Sequence, residues 1–348
     1  MKSQPIPVYF HDDQLLFHPP YEWDKRGYVP HPESPERPRA ILKVLRAFPD
    51  DFDIRCPDVL PENLTHQVHA SHLLRLYKVA EELEEDAFFF PTFFPKAHQT
   101  NVDPENIHNA GFYCFDTSTP LGKHTYTSAL WSAASAVQAA RCVLSEETRL
   151  AYALTRPPGH HADKNYFGGY CYLNTAAIMA SLLSDHGSVA IIDIDYHHGD
   201  GTQAIFYYDC AVFTASIHAD PTNRFPYFSG YSSEIGLGAG EGFNLNVPLP
   251  PKTSGRKFLK MLRTLIIPKI KAFNPDFLII AAGFDTYKDD PICDFMLETN
   301  DYKLIGKELG SLNLPTLVAQ EGGYYLPALG ENAKTLLYGI RDGQAKAK

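Results

Sequence analysis

Strand-like and helix-like apolar segments alternate along the whole chain, and this alternation limits the fold more than any other feature. "IPVYF" (6–10), "RLAYALTR" (149–156), "SVAIIDID" (188–195), "CAVFTASI" (210–217), "DFLIIAAG" (276–283) and "PTLVAQEGG" (315–323) read as strands. Several are apolar at consecutive positions, as strands are when helices cover both of their faces. Helical patterns occupy 36–48, 127–144, 173–187, 254–273 and 300–312. The expected fold is therefore α/β, a three-layer αβα single domain over 1–348 with a mostly parallel central sheet. At 348 residues and 44% hydrophobic content the chain can fill a core of that size. One stretch breaks the rhythm. Residues 81–116 are rich in Phe and Pro and loop-like, and a loop of that length inside a compact domain is usually functional or interfacial. It is expected to join a second subunit or to lid the site.

The net charge of -10 argues against a nucleic-acid surface and favours a cationic or neutral small partner. Six cysteines (56, 114, 142, 171, 210 and 293) form no CxxC pair, so neither a zinc ribbon nor a disulfide framework is indicated, and they read as core residues in a reducing compartment. The first residues lack the apolar region of a signal peptide, and no segment approaches a membrane span. A cytoplasmic protein without membrane contact is expected.

The polar motifs fall just after the strands, where open parallel sheets place their ligand sites. In "AIIDIDYHHGD" (190–200) strand alternation puts Asp193, Asp195 and His197 on one side, with Ile192, Ile194 and Tyr196 on the other. An Asp-x-His pair supplies one oxygen and one nitrogen donor, and catalytic zinc takes three protein ligands and keeps one position open. The third ligand must come from another strand end. Asp285, after "IIAAGF", is favoured, and His218, after "VFTASI", competes.

In "TRPPGHHADKNYFGGYCYLN" a rigid turn sets His160 beside His161. Paired imidazoles need carboxylates to fix their tautomers, and Asp193 and Asp200 remain to serve them. "QEGGYYLP" ends a strand in two glycines before Tyr324, whose phenol could donate to a developing oxyanion. Each motif alone has an ordinary structural explanation. Four of them, each after a predicted strand, point together to a metallohydrolase.

"RPPGHHA", "DIDYHHGDGTQ", "GFD" with a following "DP", and "EGGY" resemble the histone deacetylase and acetylpolyamine amidohydrolase superfamily, which has the arginase-deacetylase fold. The resemblance runs from "HPESPERPRAI" to "EGGYY", and residues 216–250 with "FGGYCYLN" are similar to the acetylpolyamine amidohydrolase branch. It implies one Zn2+ per chain on Asp195, His197 and Asp285; His161 backed by Asp200 as general base; His160 backed by Asp193 as an electrostatic partner; and Tyr324 as carbonyl polariser. His218 then becomes a site-lining residue. Tyr170 and Phe225 would wall an acyl-amine tunnel, with Asp116 as an acidic rim. A structural K+ would take carbonyl oxygens of Asp193, Asp195, His197 and Ile217 with side chains of Asp193 and Ser216. The 81–116 excursion would help build a homodimer.

The resemblance implies removal of acetyl groups from acetylated polyamines, small cationic amines. Two other functions compete: a lysine deacetylase and a catalytically silent binding protein. A binuclear manganese enzyme of the arginase type would need bridging carboxylates that the tandem histidines and "EGGY" do not supply.

Overall fold

The computed structural model describes residues 4–24, 27–95 and 102–347. Its centre is an eight-stranded sheet, all of whose pairings are parallel. In chain order the strands are β1 (Ile6–Tyr9), β2 (Phe52–Arg55), β3 (Leu150–Ala153), β4 (Val189–Asp193), β5 (Val212–Ala219), β6 (Asn244–Leu249), β7 (Phe277–Ala282) and β8 (Thr316–Gln320). Across the sheet they lie in the order β6-β5-β4-β7-β8-β3-β1-β2.

Alternation along the central strands divides the interior into two cores. Val8, Tyr152, Ile192, Ile280 and Val318 pack on one face with the helices Glu36–Leu45, Thr299–Gly310 and Leu326–Lys346. Tyr9, Ala151, Ile191, Ile279 and Leu317 pack on the other with Ser71–Ala80, Thr125–Leu144 and Thr175–Ser184. This is the three-layer αβα arrangement, and the near-continuous apolar runs of the inner strands follow from burial on both faces.

The six expected strands are present, with two unexpected ones at the sheet edges. β2 is only four residues long. β6, "NLNVPL", contains Pro248, which cannot donate to a ladder and is tolerated on an edge. The helix expected over 254–273 contains a π-helical stretch, Leu262–Ile266, between Gly255–Met261 and Ile267–Phe273. Pro268, lacking an N–H, accounts for that irregularity.

Of the 81–116 excursion, residues 96–101 lie outside the described residues. The remainder includes a two-residue strand, Phe88–Phe89, paired with Leu121–Gly122, and a 3-10 turn, Ile107–Phe112.

What positions the site is the register of four neighbouring strands. Asp193 pairs with Ala281, Ala281 with Ala319, and Ala319 with Ala153, so β4, β7, β8 and β3 end on one level. The loops that leave those ends carry the polar motifs.

Candidate functional site

Beyond Asp193 the strand stops two residues earlier than its apolar pattern suggested, but the alternation of sides continues through the turn. Ile194 and Tyr196 stay in the first core, while Asp195 and His197 face Asp285 at the end of β7. His197 Nδ1 lies 3.3 Å from Asp195 Oδ1 and 3.1 Å from Asp285 Oδ2. Gly322 N donates to Asp195 Oδ2 at 2.8 Å, and Tyr196 N to Asp285 Oδ1 at 2.8 Å. Glycine is required at two approaches: a Cβ on Gly283 would sit 1.9 Å from Asp195 Oδ2, and one on Gly322 2.6 Å from a carboxylate oxygen of each aspartate.

Asp195 and Asp285 are 1% and 0% exposed, and no Lys or Arg among the described residues pairs with either. Burial, and then the Asp195 charge, push Asp285 up to about 7. Burial would raise Asp195 too, but His160 and His197 hold it below the usual carboxylate range. Two buried, converging carboxylates need a cation. The donor spacings of 3.1 and 3.3 Å match the edge of a tetrahedron with bonds of about 2.0 Å, roughly 3.3 Å. The donor set fits Zn2+, with one nitrogen and two carboxylate oxygens from the chain. Cys293 Sγ lies 4.0 Å from His197 Nε2 and within 4.8 Å of an Asp285 carboxylate oxygen, so a thiol also borders this donor set.

The turn after β3 sets the rings of His160 and His161 4.0 Å apart at 46°. Each has its own carboxylate: His160 Nδ1 meets Asp193 Oδ2 at 2.8 Å, and His161 Nδ1 meets Asp200 Oδ1 at 2.6 Å. Their electrostatics differ. Burial opposes protonation of His160, but Asp193, Asp195 and Glu321 outweigh it and raise its pKa well above the ordinary value. His161 is held well below, by burial first and then by the neighbouring His160 and His197. One imidazole therefore favours the charged form and the other the neutral form.

A recess of about 190 Å3 opens above these groups, lined in part by His160, His161, His197, Tyr170, Phe225 and Tyr324. Phe225 meets His161 in a T-shaped contact, with centroids 5.0 Å apart at 86°, and stacks on Phe115. Opposite, Tyr170 adopts φ +66, a strained conformation for a bulky residue. Its N–H donates to Thr119 Oγ1 at 2.9 Å and its hydroxyl to Glu22 Oε2 at 2.7 Å. The Tyr324 ring stands 6.1 Å from that of Tyr170 and under the Arg37 guanidinium. Asp116 lines the recess too, but its oxygens accept from Ser118 N, Thr119 Oγ1 and Gly169 N. Its carboxylate is committed to holding the wall.

His218 does not line the recess. It is buried behind the site, with Nδ1 2.8 Å from Ser216 Oγ and Nε2 2.9 Å from Gly230 O. Asp193 and Ser216 are register partners on β4 and β5, and Ile217 follows in the core. The cysteines are not uniformly core: Cys56 and Cys210 are exposed and Cys293 is half-buried, whereas Cys114, Cys142 and Cys171 are buried.

Several site residues went unnoticed in the sequence. Ser118 and Ile292 line the recess. Asp290 accepts the Tyr324 N–H at 2.8 Å, and Arg37 Nε donates to Gly323 O at 2.7 Å. For Asp290 a signal existed, since it is the Asp of the "DP" following "GFD". Arg37 lies within "HPESPERPRAI", but only tertiary packing brings its helix beneath the tyrosine loop.

A model of the histone deacetylase domain matches residues 31–340. The chain belongs to the histone deacetylase family. It is 38% identical over 342 residues to an acetylpolyamine amidohydrolase of Burkholderia pseudomallei, covering 96% of this chain and 98% of that one. An acetylpolyamine amidohydrolase of Mycoplana ramosa is 35% identical, with coverage of 96% and 99%. The crystal structure of the acetylpolyamine aminohydrolase from Burkholderia pseudomallei superposes with a TM-score of 0.90 at 36% identity, covering 96% and 98%. Histone deacetylase 8 of Arabidopsis thaliana is 29% identical, with 98% and 89% covered. Fold and family thus agree with the resemblance read from the motifs.

Proposed function

We propose that this protein is a zinc-dependent amidohydrolase that removes acetyl groups from acetylated polyamines, releasing acetate and a free amine. The recess carries the proposal: aromatic on two walls, without Lys or Arg among its lining residues, it ends at His161, His197 and Tyr324. A slender alkyl chain with a leading acetamide and a trailing ammonium suits such a space. The acetylpolyamine amidohydrolases among its relatives support the same substrate class.

Asp195, His197 and Asp285 would hold one Zn2+, which when bound supplies a Lewis acid for the carbonyl and lowers the pKa of water. The remaining chemistry belongs to the chain. His161, its Nδ1 proton directed to Asp200, presents Nε2 as a base for the attacking water and then as the acid for the leaving nitrogen. Tyr324, whose phenol burial keeps protonated despite Arg37, donates to the carbonyl oxygen as negative charge develops there. His160, tied to Asp193, remains cationic and stabilises the same charge.

Three further features belong to this reading. K+ would bind beside the zinc site, at the Asp193 and Ser216 side chains with carbonyls of Asp193, Asp195, His197 and Ile217; the register of β4 and β5 supports it. A homodimer would cover the exposed aromatics Trp23, Tyr28 and Phe93, the first two paired across the antiparallel strands Tyr21–Asp24 and Gly27–Pro30. Six unpaired cysteines suit the cytoplasm.

Acetate release from acetylputrescine, acetylcadaverine, acetylspermidine and an acetyl-lysine peptide tests the proposal. Faster turnover of the amines is expected. Preference for the peptide would make the protein a lysine deacetylase, and turnover of none would leave a silent binding protein.

A further inference from the structure

We infer that Glu321 is a positioning residue that fixes the tandem histidines against the tyrosine loop, an inference that rests on the roles proposed for His160 and His161. Glu321 is the first residue after β8 and is 0% exposed. Its Oε2 accepts from the backbone N–H of Gly159 at 2.7 Å and of His160 at 3.1 Å. Oε1 has no hydrogen-bond partner among the described residues.

A buried carboxylate with an unbonded oxygen is costly. No arginine offsets it: the nearby Arg37 guanidinium bonds Glu33 Oε1 at 3.0 Å and, of Glu321, only the backbone carbonyl, so the one cation facing the carboxylate among the described residues is His160, within 4.8 Å. The hydrogen-bond partners of the carboxylate are two amides of the turn that carries both catalytic imidazoles.

The other end of this strut is firmly held. Gly322 N bonds Asp195 Oδ2, Phe284 N bonds Gly322 O at 3.1 Å, Gln320 Nε2 donates to the carbonyls of Glu321 and Gly322, and Arg37 holds Gly323 O. Across the turn, a Cβ on Gly159 would lie 2.6 Å from Thr175 N, so the backbone there has no slack. The turn is pressed between the N-terminus of Thr175–Ser184 and the Glu321 carboxylate. Through that carboxylate the metal ligand Asp195, Tyr324 and the two histidines share one frame of reference.

Two substitutions separate reach from charge. Glu321→Gln keeps an acceptor at the same reach and removes the charge; Glu321→Asp keeps the charge and shortens the arm by one methylene. E321Q is expected to retain kcat within about fivefold, and E321D to lose about 100-fold in kcat with KM changed less than about threefold, as a misplacement of an ångström does. Low-field proton NMR adds a readout free of turnover. The Nδ1 proton of the His161–Asp200 pair, which the Glu321 charge does not bias, should keep its position in E321Q and shift in E321D. The opposite pattern, E321D near wild type and E321Q impaired, would overturn the inference in favour of a charge role, as would E321D with wild-type kcat and an unshifted resonance. If the wild-type protein releases no acetate from any substrate, the proposed function fails, and the resonance alone decides on Glu321.

Discussion

Tyr324 is held by its backbone and its ring: N–H to Asp290 Oδ2, and Arg37 4.9 Å from the ring centroid. Among the described residues no hydrogen bond engages its hydroxyl, which is left to meet substrate. Tyr324→Phe should lower kcat by about 100-fold or more, the usual result of losing one oxyanion donor, with KM and zinc content little changed; steady-state kinetics and metal analysis check this. Asp285→Asn should instead abolish stoichiometric zinc binding, because the donor set loses a charge as well as an oxygen. The pH profile of kcat/KM has a definite sign. His161 must be neutral to act as base, and burial with His160 and His197 holds its pKa well below the ordinary imidazole value. The acid limb should therefore lie below about pH 6.5, and a limb centred at or above that value would remove His161 from the role. The convergence of Asp195 with His197, and of His160 with His161, was legible in the sequence. The contacts of Arg37 and Glu321 were not: both stand in quoted motifs, "HPESPERPRAI" and "EGGY", but only tertiary packing shows what each one touches.

Secondary elements near the site are locked by buried polar side chains, and one of them makes stability depend on pH. His69, at the end of Glu62–Val68, donates from Nδ1 to Asp163 O at 2.7 Å and accepts at Nε2 from Asn174 N at 2.9 Å. Asn174 in turn caps Thr175–Ser184 and bonds Ala162 O. Burial lowers the His69 pKa from 6.5 to about 4, against the Asp163 carbonyl. Above pH 6.5 the ring is neutral in both folded and unfolded chains and its contribution is intact. As pH falls toward 4 only the unfolded chain takes up the proton, and about 3 kcal/mol of stability is lost. Thermal unfolding followed from pH 7.5 to 4.5 should show a smaller decline for His69→Gln, whose amide can make both bonds without titrating; an equal decline would exclude His69 as the source. Element boundaries illustrate where sequence patterns stop informing. The helix Leu326–Lys346 contains Gly330, Gly339 and Gly343, which weaken its helical signature. Packing explains them: a Cβ on Gly339 would lie 2.3 Å from Lys303 O, and one on Gly343 2.5 Å from Lys307 O, so the two helices meet along a seam that only glycine allows. The edge strands β2 and β6 were missed for a related reason, since half-covered strands carry weak apolar runs.

For the molecule as a whole, charge and topology set the behaviour. The chain carries a net charge of -10, and no Lys or Arg lines the recess. Attraction of a cationic substrate should be screened by salt. Raising ionic strength from about 0.02 to about 0.5 M should lower kcat/KM for acetylputrescine several-fold and leave a neutral N-alkylacetamide unaffected; equal responses would show that the field plays no part in capture. The αβα architecture and the strand-end placement of the site were legible because βα alternation and polar motifs after apolar runs are long-range regularities. The lateral order of strands was not, since nothing in its own residues tells β7 to enter between β4 and β8. That insertion governs how the protein comes into being. The site rests on β3, β4, β7 and β8, neighbours in space but spread over residues 150 to 320, and such non-local pairings form slowly. A chain emerging from the ribosome has its histidines and Asp195 early, yet cannot hydrolyse anything until its last strand has arrived and the sheet has closed around β7.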